Sequence, residues 1–127
     1  MPDIEHNKQV VRDFCETAFN AKQPAEAAER FLGSQYTQHN PSAPDGKDAF
    51  VEFAGGFVAQ APGLNLEIKR IVAEGDIVVA HSHLTMSEDD AGTVVVDIFR
   101  LKDGKIVEHW DVMQPFPETS LNDHPMF

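Results

Sequence analysis

Two runs in the C-terminal third hold the side chains best suited to acid/base chemistry, Val95-Val96-Asp97-Ile98-Phe99-Arg100-Leu101 and Val107-Glu108-His109-Trp110-Asp111-Val112-Met113. Both are rich in β-branched and aromatic residues, and side chains alternate between the faces of a strand. Val95, Asp97, Phe99 and Leu101 therefore share one face, and Val107, His109, Asp111 and Met113 share a face of the partner. Each face mixes ionisable groups with large apolar ones. A lone carboxylate buried among such neighbours costs several kcal/mol unless it is paired, hydrogen-bonded or protonated, so an acid retained there points to a pocket rather than a plain core. In a pocket, such a carboxylate can take a proton from a carbon acid, and a neighbouring donor can hold the oxyanion that develops.

Three further histidines compete for a role. His39 lies in Tyr36-Thr37-Gln38-His39-Asn40-Pro41, just ahead of the turn Ser42-Ala43-Pro44-Asp45-Gly46, where loop residues commonly carry function. His81 and His83 fall on one face of a strand, a spacing seen in metal sites. A third ligand from His39, Asp97, His109 or Asp111 would have to be brought beside them, which spacing alone does not do, so no metal is expected. Ser-His-Asp elbow, phosphate-cradling glycine loop and zinc-protease helix motifs are absent from the sequence.

The elements that must position these groups follow from periodicity. Asp3 can cap a helix from Ile4 to Asn20 with an apolar stripe through Val11, Phe14, Cys15, Ala18 and Phe19. Pro24 suits the first position of a second helix that continues through Phe31 and Leu32 to Gly33. An extended piece over Tyr36–Pro41 follows, then a third helix, Lys47–Gln60, with Phe50, Phe53, Ala54 and Phe57 on one stripe. Strands are predicted over Leu66–Glu74 and Ile77–Met86, joined at Gly75, and over Thr93–Leu101 and Ile106–Gln114, joined at Asp103-Gly104. Three helices and then four antiparallel strands make an α+β domain with helices on one face of a curved sheet. On the other face, Val94, Val96, Ile98, Ile106 and Val112 form an apolar surface that predicts a sheet-to-sheet homodimer, with an Arg100–Glu108 pair bridging the strands. The tail from Glu118 to Phe127 is expected to be loose or to fold over a pocket or neighbouring subunit through Phe116, Met126 and Phe127.

At 127 residues the chain suits one domain, residues 1–127, with one core. A net charge of −11 argues against nucleic acid and anionic membrane as partners. Apolar runs fall short of the roughly 18 to 20 residues that span a bilayer, and no secretory signal is visible, so a cytoplasmic location is expected. Cys15 is the only cysteine, which rules out an internal disulfide and suits a buried structural thiol.

Tyr36-Thr37-Gln38-His39-Asn40, Val96-Asp97-Ile98-Phe99-Arg100 and Asp103-Gly104-Lys105-Ile106-Val107-Glu108-His109-Trp110-Asp111 resemble the motifs of the SnoaL-like polyketide cyclases, within the nuclear-transport-factor-2-like superfamily. The resemblance covers nearly the whole chain. It implies a cone-shaped α+β barrel in which a strongly curved, mainly antiparallel sheet wraps over the N-terminal helices around a ligand cavity, often as a homodimer. It also implies ring closure by intramolecular aldol condensation without metal or organic cofactor, with Asp111, after the His-Trp pair, as the acid/base aspartate. His39 and Asp97 are its expected partners. Asn40, Phe53, Phe57, His81, His83, Phe99, His109 and Met113 are the expected substrate-binding residues. The same superfold hosts isomerases and plain binding proteins, so a small-molecule carrier using the same cavity is the competing reading.

Overall fold

The computed structural model describes residues 2–127. Helix α1 spans Ile4–Cys15, and Asp3 caps it by accepting the His6 N–H at 3.0 Å. The expected helix to Asn20 continues as one wider π turn, Glu16–Asn20, closed by the Ala21 N–H on the Glu16 carbonyl. That turn has a positional consequence: the Asn20 amide meets both the N–H (2.7 Å) and the carbonyl (2.9 Å) of Leu66. The helix end thereby supplies the partner that the start of an edge strand otherwise lacks.

Helix α2 runs Pro24–Phe31 and α3 runs Lys47–Gln60, the latter as predicted. Between them lies a correction. Leu32 and Gly33 are not helical; they begin strand β1, Leu32–Gln38, which reaches further back than the extended piece read from the sequence. Strands β2 (Asn65–Glu74), β3 (Ile77–Thr85), β4 (Thr93–Lys102) and β5 (Lys105–Pro115) follow. The sheet order is β1-β5-β4-β3-β2, antiparallel throughout except for β1, which runs parallel to β5. The sheet is mixed and curved but open, with β1 and β2 at its edges rather than joined into a barrel. Irregularities in the β2–β3, β4–β5 and β1–β5 pairings bend the strands where they occur.

The β4–β5 hairpin turns at Asp103 and Gly104, both with positive φ (52° and 76°), the backbone that an Asp-Gly pair tolerates and that matches the twist of the flanking strands. Four residues on, the pairing slips. Leu101 faces Ile106 and Arg100 faces Glu108, so Val107 is an extra residue. Its methyl groups lie against Gly33 of β1, where a Cβ would stand 2.9 Å from Val107 Cγ1. The bulge also overturns one expectation. Ile106, predicted for the outer face, turns inward with Leu101 and is fully buried beneath the helices.

The core joins Val10, Val11, Phe14, Ala27, Phe31 and Phe50 of the helices to Val78, Phe99, Leu101 and Ile106 of the sheet. The C-terminal tail folds back onto the outer face. Phe127 stacks on His83 at 4.4 Å between ring centroids and carries Lys69 Nζ above it, while Phe116 meets His83 edge-on.

Candidate active site

Cross-strand register decides which chemical groups meet. Asp97 on β4 pairs with Asp111 on β5, and Phe99 pairs with His109, all on the helix-covered face. On the other side of β5, parallel β1 brings Gln38 beside His109, and the His39 N–H donates to the His109 carbonyl at 3.0 Å. The chain continues to Asn40, whose side chain reaches Asp111. Together these groups form the polar end of a cavity of about 130 Å³ walled by Phe14, Phe19, Phe50, Phe53, Phe57 and Phe99.

The hydrogen bonds fix the orientation of both amides. The Ser42 N–H donates to Asn40 Oδ1 at 2.8 Å, so Asn40 Nδ2 is the donor that Asp111 meets, at 3.1 Å to Oδ1 and 3.0 Å to Oδ2. Gln38 Oε1 accepts the Asn40 N–H at 3.1 Å, while Gln38 Nε2 donates to the Tyr36 hydroxyl at 3.2 Å. His109 Nδ1, 2.7 Å from Gln38 Oε1, must therefore be protonated and donate. Nε2 of the same ring lies 2.8 Å from Asp97 Oδ1. Two lone pairs do not approach so closely, so a proton lies between these atoms as well. Asp97 is only 8% exposed, and its Oδ2 accepts no hydrogen bond among the described residues.

Tyr36 completes the polar end and was not singled out from the sequence, where it reads as one more strand aromatic. It is buried against Phe50 and lines the cavity. Burial, and then the negative charge of Asp97, push its phenol well above the ordinary range, so it stays neutral. Its oxygen accepts from Gln38, and its own hydrogen has no acceptor among the described residues. It is a donor without a partner, facing a cavity. Cys15 also lines the space, with its thiol held in the protonated form by burial and by Asp97.

The remaining expected site residues divide in two. Asn40, Phe53, Phe57, Phe99, His109 and Met113 line the cavity, with Phe53 and Met113 partly exposed at its rim. His39, His81 and His83 do not. His39 projects to the outer face, where it stacks on Trp110 (4.7 Å, 5° between planes) and lies 2.7 Å from Glu108 Oε2. Glu108 also accepts from Arg100 Nε at 2.7 Å, forming the predicted outer pair, and its carboxyl is held below the usual range first by His39 and then by Arg100. His81 and His83 pair with Val96 and Val94, so they share the outer face. His81 meets Arg70, and His83 is covered by Phe116 and Phe127. The face of β3 is set by its register with β4 across an intervening loop, which the pattern of β3 by itself does not contain.

Residues 11–109 match the family model of the SnoaL-like domain. The chain is similar to TsrD from Streptomyces laurentii, with a TM-score of 0.72 at 23% identity over 89% of this chain and 91% of that one. A candidate ketosteroid isomerase from Kribbella flavida superposes with a TM-score of 0.74 at 21% identity, over 94% and 86% of the two chains. A candidate SnoaL-like polyketide cyclase from Jannaschia gives 0.75 at 19%, over 89% and 88%. At these identities the likeness establishes the fold. No curated protein matches the chain.

Proposed function

The chain belongs to the SnoaL-like domain family, and from that premise we propose that it is an enzyme acting on a small carbonyl compound by acid/base chemistry of its own side chains. The reaction is an aldol-type cyclisation or an isomerisation, and Asp111 is the base. The observation that carries this reading is the placement of a carboxylate on an aromatic cavity wall, held by one amide, with two further proton-bearing groups around the same space.

Asp111 takes the proton next to the substrate carbonyl, and the charge it loses appears on the enolate oxygen. Tyr36, whose hydroxyl hydrogen has no acceptor among the described residues, is the group positioned to donate to that oxygen, in place of His39, which points away. One well-placed donor of this kind contributes about 3 kcal/mol of transition-state stabilisation. Asp97, 2.8 Å from His109 Nε2, orients the ring. An apolar cavity of about 150 Å³ holds a benzene-sized molecule, and the cavity here, about 130 Å³, fits a ring-sized part of a substrate. Larger substrates would extend past Phe53 and Met113 at the rim.

We also infer a homodimer through the outer sheet face, supported by Val112 at 70% exposure beside Ile98 and Trp110. Among the described residues, no helix is long and apolar enough to cross a membrane.

The test is deuterium exchange at the activated carbon of a panel of small β-dicarbonyl compounds in deuterated water. Exchange should depend on the protein and vanish in Asp111→Asn, with folding and ligand binding retained. Unchanged turnover in that variant eliminates Asp111 as base. Tight binding of a compound with no exchange across the panel favours the carrier reading instead.

A further inference from the structure

We propose that Asp97, His109 and Asp111 form a binding site for a divalent first-row transition-metal ion. Each offers one ligand atom, and the three atoms lie within 4.8 Å of one another. His109 Nε2 and Asp97 Oδ1 already stand 2.8 Å apart. Adjacent ligands bound at about 2.1 Å to a common ion are separated by about 3 to 3.5 Å, so this pair needs almost no movement. A carboxylate oxygen of Asp111 lies within 4.8 Å of both.

Three independent features point to a cation. The first is the outer shell. A ligating imidazole donates its other N–H to a fixed acceptor, and here Nδ1 donates to Gln38 Oε1 at 2.7 Å, so that an ion that displaces the proton between Nε2 and Asp97 to solvent meets Nε2 aimed at the trio. Asn40 holds the Asp111 carboxylate in the same manner. The second is charge. Two carboxylates face an aromatic cavity whose lining includes no Lys or Arg. The third is access, because three protein ligands leave coordination positions open toward the cavity.

One imidazole and two carboxylates suit Mn²⁺, Fe²⁺, Co²⁺ or Zn²⁺; Ca²⁺ takes six to eight oxygens and softer ions favour thiolates. The outer histidines offer no comparable set: His81 meets Arg70, and His83 is enclosed by two phenylalanine rings. The inference does not rest on the proposed reaction. Ligation at Asp111 occupies the lone pairs that would receive a substrate proton, so metal and base function compete for one group.

Mn²⁺ titrated into the full chain after treatment with a chelator, followed by calorimetry and by loss of the free-ion electron paramagnetic resonance signal, should saturate at one equivalent. Asp97→Asn and His109→Ala should each weaken binding by more than about 100-fold, and Gln38→Ala by about 10- to 100-fold, the range of outer-shell partners. The double variant His81→Ala/His83→Ala should bind as the parent does. In the unmodified chain, Mn²⁺ should broaden the nuclear resonances of Tyr36, Phe99 and His109 before those of His83, a readout that needs no variant to fold. Absence of binding, broadening centred on His81 and His83, or unchanged affinity in folded Asp97→Asn would each overturn the site. None of these results bears on whether Asp111→Asn abolishes deuterium exchange.

Discussion

Replacing Asp97 by Val, His109 by Phe, and both together tests whether the cavity's polar end is one coupled unit. The two side chains are 12% and 10% exposed and 2.8 Å apart. Asp97→Val leaves the His109 Nε2–H without an acceptor, and His109→Phe strands the Asp97 carboxylate and removes a donor from Gln38 Oε1. Removing one partner of a buried pair costs about 3 to 5 kcal/mol, and the lower end applies where a cavity lets water approach. With a urea m-value of about 1.5 kcal/mol/M, each single variant should unfold at a midpoint lowered by about 2 M. The double variant leaves neither charge unpaired and replaces both with apolar groups, so its loss should not exceed that of one single variant. The coupling then comes to about 3 kcal/mol, the upper end for residues in contact. The assay is equilibrium urea unfolding followed by far-ultraviolet circular dichroism, with the same sucrose addition throughout to keep the weakest variant folded. A double variant that loses the sum of the two singles would mean that the side chains do not hold one another, and the proton placed between them would have to be abandoned.

Three further outcomes follow from the same geometry. Tyr36 is the only tyrosine, so ultraviolet titration reports it alone. Its raised value means that its contribution to stability is full below about pH 10, the ordinary phenol value, and lost as pH rises through the folded value. Ionisation should therefore lag beyond the ordinary range and come with unfolding, and Asp97→Asn should bring it down; reversible ionisation near pH 10 in the folded chain would contradict this. Glu108 behaves in the opposite sense. Its lowered value means stability present above the ordinary carboxyl value of 4.5 and lost as pH falls through the folded value. The stability gap between the parent and Glu108→Gln, measured in urea from pH 3 to 7, should close on the acid side, and a constant gap would count against the His39–Glu108–Arg100 contact. On the outer face, Val112→Asp should convert a dimer to monomer in sedimentation velocity with the fold intact, and a parent that stays monomeric at every concentration would remove the inferred interface.

Much of this arrangement was legible because strong local signals agreed with the fold. The period of 3.6 residues marked α1 and α3, the alternation of apolar residues marked four strands, and Asp103-Gly104 marked the turn that sets Asp97 against Asp111. The pair Arg100–Glu108 followed from the same hairpin. What escaped was information that no single segment carries. β1 follows α2 with no turn signal between them, and its partner β5 lies about seventy residues further on, so Leu32 and Gly33 read as a helix end. The outward placement of His81 and His83 depends on their pairing with β4, and the turn of His39 toward Trp110 depends on where β1 ends beside β5. The donor role of Tyr36 requires knowing that Gln38 Oε1 is already taken by His109 and by the Asn40 N–H.

The surplus residue at Val107 bears on how the chain can change length. Because Leu101 meets Ile106 and Arg100 meets Glu108 on either side of it, excising Val107 would restore a regular ladder without altering a single facing pair. Excision of Trp110 would instead rotate Asp111 to the exterior. The vacated volume would open beside Gly33, where a side chain is now sterically excluded. Shortened homologues are therefore expected to carry alanine or something larger at the position of Gly33, the two sites varying as a matched set while Asp97 stays opposite Asp111.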